Sequence, residues 1–376
     1  MIVNKTHLVM GKSKSERLFG HLMGVVHQDL CLNCGACAAS CPWGSIKLIN
    51  GRATLSGNCT ACGLCYAQCP QTVTDETLIK KIFGSSFSTP LGTYKEAYSG
   101  CARNPEIRNE GQDGGIVTGL LEFLLKEELI EGAIVMDRDS EWKTQPQVAV
   151  TRREIIDSSG AKYTPGPILT ATRDAVDHYL LEKMAFVGLP CQVRAIRVME
   201  SEEPVLRRIT NRVELVLGLF CQHCFSYEGL FEEKLKKEMN VNPSDVVGIN
   251  LAKNGSLTVK TDDSEHELSP NSIDNCIFEP CRICRDFSAR FADISIGAAG
   301  TPQKYSTILI RTDKGKEIFR RAVDRGIVEA EPLEDTDPSI KDVKNQSLKK
   351  KKSAEKEIQS RREEGKSLPP KISGEL

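Results

Sequence analysis

The clustering of the cysteines constrains this chain more than any other feature. The sequence contains 15 cysteines in 376 residues; eight of them lie between Cys31 and Cys69, and none follows Cys284. A secreted module stapled by disulfides is shorter and distributes its cysteines along the whole chain. Thiols grouped in this way instead indicate metal binding.

The eight clustered cysteines form two copies of one motif. Each copy has the form C-x2-C-x2-C-x3-C-P, which ends at Pro42 in the first copy and at Pro70 in the second. In this spacing three thiolates bind three irons of a 4Fe-4S cubane, and the fourth cysteine faces the other cluster. The predicted ligands are Cys31, Cys34, Cys37 and Cys69 for the first cluster, and Cys59, Cys62, Cys65 and Cys41 for the second.

Zinc is the alternative metal for these motifs. Zinc sites also use C-x2-C pairs, but they need four ligands per ion and have no use for a third cysteine at the same spacing or for the proline. Residues 27–76 resemble bacterial two-cluster ferredoxins, and Asn50-Gly51 between alternating apolar residues predicts a hairpin turn. We therefore expect an N-terminal extension over 1–27 and an α+β ferredoxin-like domain with two 4Fe-4S clusters over 28–90.

The sequence pattern changes near residue 92, where short apolar runs alternate with amphipathic stretches. Helices are predicted at 116–130, 191–199 and near 227–238, and buried strands at 132–136, 185–190 and 213–220. Strand, loop and helix repeated three times predict an α/β domain with a largely parallel sheet, over residues 91–332. In such sheets ligands bind beyond the carboxyl ends of the strands.

Seven further cysteines lie in this second region: Cys101, Cys191, Cys221, Cys224, Cys276, Cys281 and Cys284. Cys191 and Cys221 follow two of the predicted strands. The C-x2-C pairs that begin at Cys221 and Cys281 could hold one more metal ion or cluster. A lone cysteine is more often a buried, inert thiol, which is what we expect of Cys101 and Cys276.

Five segments of the second region resemble the family of coenzyme F420 hydrogenase and dehydrogenase beta subunits. They are QDGGIVTGLLEFLL (112–125), SSGAKYTPGP (158–167), AFVGLPCQVRAI (185–196), LGLFCQHCFSYEGL (217–230) and CRICRDFSARFADISIGAAG (281–300). The resemblance covers most of residues 92–320 and implies an α/β fold that binds FAD and one further 4Fe-4S cluster. The ligands implied for that cluster are Cys191, Cys221, Cys281 and Cys284, with Cys224 as either a bystander or a substitute ligand.

A flavin site does not follow from a dinucleotide fingerprint, because no G-x-G-x-x-G motif follows a predicted strand. The resemblance implies FAD, and glycines before a helix or a turn with donors and a cation could bind its pyrophosphate. The candidate contacts are Gly114, Gly115, Thr118, Ser159, Gly160, Lys162 and Tyr163, with Gly297, Gly300 and Ser306 as weaker candidates. Taken without the resemblance, ordinary loop and capping chemistry explains the same residues better.

The resemblance implies an oxidoreductase that transfers a hydride between reduced coenzyme F420 and FAD, and then single electrons through three 4Fe-4S clusters. A flavin connects the two kinds of transfer, so no side-chain acid, base or nucleophile is required and no catalytic residue is predicted. Coenzyme F420 carries a phosphate and an oligoglutamate tail, so its groove should be basic. The basic residues near the motifs are Lys162, Arg194, Arg197, Arg282, Arg285 and Arg290.

The order of the domains favours one branch of the family. A ferredoxin domain before the flavin domain is similar to the electron-input subunit of the F420 dehydrogenase complex. The beta subunit of F420-reducing hydrogenase or of F420-dependent formate dehydrogenase is the alternative. A non-catalytic iron-sulfur adaptor and a flavin enzyme with another hydride acceptor also stay open. The expected partners are subunits of a membrane or soluble redox complex, or ferredoxin.

Charge and hydropathy limit the remaining possibilities. The net charge of -1 gives no general attraction to nucleic acid. No run approaches 18 apolar residues and no secretory signal is recognisable, so we expect a cytoplasmic protein without a transmembrane segment, at a membrane only through a partner complex. Residues 333–376 are charged and poor in apolar residues, so we expect a flexible or helical tail that aids solubility or docks on an acidic partner or an anionic membrane.

Overall fold

The computed structural model describes residues 14–49, 51–84, 89–200, 204–252, 255–333 and 339–369. Its first part is small and built around short helices. In chain order this part contains α1 (Lys14–Val26), α2 (Ala36–Ala39), β1 (Ile46–Ile49), β2 (Arg52–Leu55), α3 (Leu64–Ala67) and α4 (Asp75–Phe83). The described residues of 14–84 are called the ferredoxin-like region below.

Glycines and one tight turn shape the ferredoxin-like region. Strands β1 and β2 pair antiparallel with Ile49 opposite Arg52, as the predicted hairpin requires, although Asn50 itself lies outside the described residues. Helices α2 and α3 each begin after a glycine in the left-handed conformation, Gly35 at φ 84° and Gly63 at φ 77°. Other residues are strained in that conformation, so both cysteine-rich loops depend on glycine.

The second part, called the sheet region, is larger. It begins with β3 (Glu96–Ala102), α5 (Pro105–Glu110), α6 (Ile116–Lys126), β4 (Gly132–Arg138), β5 (Thr144–Ala149), α7 (Arg152–Asp157), α8 (Leu169–Asp177), β6 (Met184–Gly188), α9 (Pro190–Met199), α10 (Pro204–Thr210) and β7 (Val213–Leu219). It continues with a π-type helix (Glu228–Glu238), β8 (Val246–Leu251), β9 (Leu257–Thr261), β10 (Glu265–Leu268), α11 (Glu279–Arg282), β11 (Ile294–Gly297), β12 (Ser306–Ile310), α12 (Asp313–Asp324), β13 (Val328–Pro332) and α13 (Ile340–Glu363). Short 3-10 turns lie at Pro243–Asp245, Pro270–Ser272 and Asp274–Cys276.

The main sheet is mixed, not largely parallel as the sequence predicts. Its eight strands have the order β13-β3-β12-β11-β7-β6-β4-β5. The four neighbours β11, β7, β6 and β4 are parallel, whereas the pairs on both flanks are antiparallel. For two of these pairs the reason is connection length: β4 to β5 and β11 to β12 are joined by short loops without the crossover helix that parallel neighbours need. A separate three-stranded antiparallel sheet has the order β10-β9-β8.

Two apolar cores cover the two faces of the main sheet. On one face α8, α9 and α10 pack together with residues of the ferredoxin-like region, including Leu32 and Leu78. On the other face α6 and α12 pack against the strands, with Leu120 and Phe319 buried. The ferredoxin-like region therefore shares an apolar core with the sheet region and is not a separately packed domain. Among the described helices, none combines the length and the apolar character needed to cross a bilayer.

The C-terminal segment takes the helical form of the flexible or helical tail that the sequence predicts, and it is packed against the rest of the protein. Residues Ile340–Glu363 form the 24-residue helix α13, which begins with a capping box between Ser339 and Asp342. One face of the helix is buried: Val343, Ser347, Lys350, Ala354, Ile358 and Arg361. These residues recur every three or four positions, as on any packed helix. Only three of the six are apolar, so a search for an apolar stripe does not find this face.

A buried arginine fixes the segment that joins the two regions. Arg311 at the end of β12 is 1% exposed, and its guanidinium donates to the carbonyl oxygens of Leu91 and Thr93 at 2.9 and 2.8 Å. It also donates to the carbonyl oxygen of Ser288 at 2.9 Å and to the hydroxyl of Ser295 at 2.6 Å. Burial lowers the pKa of Arg311 to about 10, so the side chain stays charged at neutral pH.

We expect Arg311→Met to lower the free energy of unfolding by about 3 kcal/mol, because several buried carbonyl groups lose their donor and each costs about 1–3 kcal/mol. Urea denaturation of the anaerobic protein measures the change. The control is Arg320→Met, which removes an exposed ion pair with Glu96 at 3.2 Å and should change stability by under about 0.5 kcal/mol. Equal unfolding midpoints for the two variants would contradict this role of Arg311.

Candidate functional site

Two cavities in the ferredoxin-like region gather the eight motif cysteines into two groups of four. The first cavity, of about 390 Å³ including its opening to solvent, is lined by Cys31, Cys34, Cys37 and Cys69. The second, of about 400 Å³ including its opening to solvent, is lined by Cys41, Cys59, Cys62 and Cys65. Each group contains three cysteines of one motif and the last cysteine of the other, which is the crossed arrangement that the motif spacing predicts.

The pKa shifts of Cys34 and Cys65 follow the same grouping. Burial, and then the nearby charge of Cys69, raise the pKa of Cys34 well above its ordinary value. Burial raises the pKa of Cys65 to about 11, with Cys62 and Cys41 adding to the effect. Thiols held this close are unfavourable as bare thiolates, and binding to iron supplies the positive charge that stabilises them.

Five further cysteines meet where the sheet region faces the ferredoxin-like region. Cys191 lies in the first turn of α9, Cys221 and Cys224 follow β7, and Cys281 and Cys284 lie in and after α11. The backbone amide of Cys224 donates to the Cys281 sulfur at 3.4 Å. The electrostatic neighbours of Cys191 are Cys284, Cys281 and Cys221. These five residues are called the third cysteine group below.

Cys224 is central to the third cysteine group, although the resemblance makes it the doubtful member. Its thiol donates hydrogen bonds to Cys221 and Cys281, which lowers the pKa of Cys221 to about 7 and lowers that of Cys281 as well. The same bonds raise the pKa of Cys224. Cys224 therefore lies within hydrogen-bond reach of two of the four cysteines that the resemblance implies as ligands.

A single metal ion and a cubane make different demands on their ligands. Within the described residues, no three His, Cys, Asp or Glu side chains are arranged to bind a single metal ion. A cubane keeps its ligand sulfurs farther apart than one tetrahedral ion does, because four irons and four sulfides lie between them. Each of the three cysteine groups supplies at least the four thiols that a cubane requires.

A large cavity opens at the carboxyl ends of the parallel strands and is called the strand-end cavity. Its volume is about 1610 Å³ including its open mouth. The ends of β4, β6, β7 and β11 form its floor through residues such as Met136, Gly188 and Leu219. The start of α6 forms one wall, and Asn250 of β8 forms another. Cys221 and Cys224 also line it, so the strand-end cavity adjoins the third cysteine group.

The structure brings most of the predicted flavin contacts to the strand-end cavity. Gly115, Thr118, Ser159, Gly160, Lys162, Tyr163, Gly297 and Ser306 line it. Gly114 lies just behind this wall and donates its amide to the Ser306 hydroxyl at 3.1 Å. Gly300 lies elsewhere, because it makes room for α13: a Cβ there would meet the Val343 side chain at 2.5 Å.

Several of these groups hold the wall together instead of offering free donors. The Lys162 ammonium donates to the carbonyl oxygens of Ser158, Ser159 and Gly160, although burial lowers the pKa of Lys162 to about 8. The Ser159 hydroxyl donates to the Glu110 carbonyl oxygen at 3.0 Å. The turn with donors and a cation that the sequence predicts here therefore uses Lys162 and Ser159 to satisfy its own backbone. Their contact with a flavin stays a prediction.

Three residues that the sequence prediction missed do offer free polar atoms. The Thr164 hydroxyl, the Gln222 amide oxygen and His223 Nε2 are buried, have no hydrogen-bond partner and belong to residues lining the strand-end cavity. Burial lowers the pKa of His223 to about 4, so its ring is neutral near pH 7. Buried polar atoms are normally paired, so a ligand with nitrogen and oxygen atoms fits here. In the sequence, the signal that could have identified these three residues is their position in the TPGP and CQHC parts of the segments that resemble the family.

The predicted basic groove is not at the strand-end cavity. Among its described lining residues, Lys162 is the sole member of the predicted basic set. Arg194 and Arg290 pair with Asp75, and Arg197 pairs with Asp293 at 3.0 Å. Arg282 pairs with Asp274 at 3.1 Å, and Arg285 lines the cavity between the two regions. Buried arginines need carboxylate partners, and these partners come from distant parts of the chain.

Cys101 and Cys276 lie apart from the three cysteine groups. The Cys101 thiol donates to a Glu329 carboxylate oxygen at 3.0 Å, and the Cys276 thiol donates to the Gly229 carbonyl oxygen at 3.3 Å. Both residues are buried. Their burial matches the buried thiols that we expect at these two positions.

A dicluster module on a mixed α/β sheet with cysteines at its strand ends defines a class of iron-sulfur redox protein. Residues 23–79 match the 4Fe-4S dicluster domain. Residues 97–173 and 181–336 match the N-terminal and C-terminal parts of the coenzyme F420 hydrogenase/dehydrogenase beta subunit. The chain belongs to the family of coenzyme F420 hydrogenase/dehydrogenase beta subunits, which confirms the resemblance found in its sequence.

Three similar proteins illustrate the family. Coenzyme F420 hydrogenase subunit beta of Methanothermobacter thermautotrophicus is 36% identical over 74% of this chain and 99% of its own length. A subunit of the F(420)H(2) dehydrogenase of Methanosarcina mazei is 28% identical over 88% of this chain and 92% of its own length. A chain of the F420-reducing [NiFe] hydrogenase complex from Methanosarcina barkeri superimposes with a TM-score of 0.69, at 29% identity, over 74% of this chain and 95% of that one.

The crossed ligand assignment predicts which pairs of cysteine substitutions cause additive losses of iron. Cys31→Ser and Cys69→Ser should each remove one cluster, about four irons, and the double variant should lose no more than either single one. Cys31→Ser combined with Cys41→Ser should lose about eight irons, because the two residues line different cavities. Iron analysis of anaerobically purified protein measures both. Additive loss for Cys31 with Cys69 would contradict the crossing.

Proposed function

We propose that this chain is an F420-dependent oxidoreductase subunit with FAD in the strand-end cavity and three 4Fe-4S clusters. FAD would accept a hydride from reduced coenzyme F420 and release its electrons one at a time. The two cavities of the ferredoxin-like region would hold two clusters. The third cysteine group would hold the other, with Cys191, Cys221, Cys281 and Cys284 as ligands and Cys224 as the competing one.

One observation carries the proposal: the four sites adjoin one another in series. Cys221 and Cys224 line both the strand-end cavity and the third cysteine group. In that group, the charge of Cys34, which belongs to the first ferredoxin group, is one of the causes that raise the pKa of Cys191. The charge of Cys65 in the second group in turn helps to raise the pKa of Cys37 in the first group. A series of this kind supports electron transfer from a buried cofactor to the surface, where Cys62 is exposed.

The residues of the strand-end cavity would bind and orient the cofactor and exclude water from it. Leu121, Val135, Val187 and Leu219 supply an apolar lining. The free polar atoms of Thr164, Gln222 and His223 would fix the orientation of the flavin. At the mouth, Gln112 donates to the Asn250 side chain at 3.0 Å and so joins the α6 loop to β8. No side chain of this chain is required to move a proton in this scheme.

The length of the match favours a dehydrogenase-type subunit. The similarity to the F(420)H(2) dehydrogenase subunit of M. mazei extends over 88% of this chain, whereas the hydrogenase beta subunit of M. thermautotrophicus matches 74%. The higher identity of the latter, 36%, favours the alternative of a hydrogenase beta subunit. In both cases the partners would be other redox subunits or ferredoxin. A cytoplasmic location, at a membrane only through such a partner, stays a prediction.

Anaerobic purification and activity measurement test the proposal as a whole. We expect about twelve irons and about one FAD per chain, and oxidation of reduced F420 with viologen as acceptor. Twelve irons without FAD would support the non-catalytic adaptor instead. FAD with no F420 binding in a titration would indicate a different hydride acceptor. Inertness toward reduced F420 with FAD bound would contradict the proposal.

A pair of threonine variants tests the flavin site itself. Thr164→Val removes a buried hydroxyl that has no partner in the protein, so FAD affinity should fall about tenfold while the FAD-free protein loses no stability. Thr172→Val is the matched control, because its buried hydroxyl donates to the Leu169 carbonyl oxygen at 2.6 Å. That variant should lose about 1 kcal/mol of stability and keep its FAD affinity.

Flavin fluorescence titration gives the affinities, and urea denaturation of FAD-free protein gives the stabilities. Unchanged FAD affinity in Thr164→Val would show that its hydroxyl does not face the cofactor. Equal losses of affinity in both variants would mean that the effect comes from loosened packing, and this would also contradict the assignment.

A further inference from the structure

Helix α13 covers the third cysteine group, although it lies beyond residue 336, where the match to the family ends. The Ser347 hydroxyl donates to the Pro90 carbonyl oxygen at 2.9 Å, which ties the helix to the segment between the two regions. Nearer its C-terminus, the buried Arg361 pairs with Glu279 of α11. Because α11 carries Cys281, this ion pair fixes the helix directly over the cysteines.

The buried face of α13 carries a cation to this group. Lys350 is 4% exposed, and its Nζ donates to the Cys221 carbonyl oxygen at 2.7 Å. Lysine is almost never buried to this degree unless it is paired. The charges around it are those of Cys284, Cys221 and Cys281, together with Asp286. Asp286 also faces Arg290, at 3.6 Å, so its carboxylate is shared with another cation.

Lys350 is buried together with polar partners. Its Nζ has an acceptor in the Cys221 carbonyl oxygen, and the Asp286 carboxylate is among its neighbours. A buried lysine that is paired in this way carries its positive charge. A fixed positive charge lies against the backbone of Cys221 and in the field of three candidate ligands.

We propose that Lys350 sets the reduction potential of the third cluster by placing this charge beside its ligands. One-electron reduction adds one negative charge to a cluster, and a buried cation stabilises the reduced form. Lys350 therefore raises the potential of the third cluster relative to the same site without the charge. The inference rests on the third cluster of the proposed function. In that function this cluster lies between the flavin and the ferredoxin-like region, so its potential governs how readily it takes each electron.

The test is a redox titration of the full chain, purified without oxygen and followed by electron paramagnetic resonance. The signal of the third cluster is the one absent from Cys284→Ser. Lys350→Gln removes the charge but keeps a donor for the Cys221 carbonyl oxygen. We expect the reduced-to-oxidised ratio of the third cluster at a fixed potential to fall at least tenfold, which is 59 mV for one electron. The other two clusters should be unchanged.

Two control variants separate charge from position. Lys350→Arg keeps the charge, so the ratio should change less than twofold. Lys351→Gln changes the exposed neighbour, whose side chain is 54% exposed and 3.9 Å from Glu355, and it should have no effect. Lys350→Met removes both the charge and the donor and should shift the potential at least as far as Lys350→Gln does.

Three results would overturn the inference. They are an unchanged potential in Lys350→Gln, a shift in Lys350→Met alone, and loss of about four irons in Lys350→Gln but not in Lys351→Gln. The second result would assign the effect to the hydrogen bond, and the third would assign Lys350 to cluster assembly. A wild-type chain with about eight irons and no third signal would instead remove the third cluster from the proposed function itself.

Discussion

The contact between α9 and the ferredoxin-like region is the constraint on which the redox arrangement depends. Arg194 of α9 is 5% exposed, donates to the Pro70 carbonyl oxygen at 2.9 Å and pairs with Asp75 of α4. Cys191 lies one turn earlier on the same helix. The helix that docks the ferredoxin-like region therefore also presents a thiol of the third cysteine group toward Cys34, so the spacing of these two sites is set by one rigid element.

A second contact across the same boundary fixes the position of the ferredoxin-like region against the sheet region. The backbone amide of Leu169 in α8 donates to the Cys34 carbonyl oxygen at 3.0 Å. Gly35 allows this approach, since a Cβ there would lie 2.7 Å from the Pro167 carbonyl oxygen. The glycine next to Cys34 thus serves two purposes: it opens the cysteine loop, and it lets the sheet region reach the backbone of that loop.

The sequence was most informative where function depends on local spacing. The cysteine motifs, the antiparallel pairing of β1 with β2 and the helix at Ile116 follow from residues a few positions apart, and the described residues contain each of these features near its predicted place. The mixed sheet was not predictable in this way, because strand pairs such as β12 with β3 join residues about 200 positions apart. The crossed grouping was predictable only because the motif encodes the long-range contact through its fourth cysteine.

Charged residues were the least predictable, and for one physical reason. A charged side chain is buried only where a partner compensates its charge. The role of Arg194, Lys162 or Lys350 therefore depends on groups distant in sequence or on backbone carbonyl groups, and the composition of the chain reveals neither. The same rule explains why the sequence of α13 has the character of a solvated tail: its buried face carries Lys350 and Arg361, whose partners are the Cys221 carbonyl oxygen and Glu279. A lysine-rich segment can therefore be structural wherever the surface that it meets supplies negative charge, and a group of thiolates is such a surface.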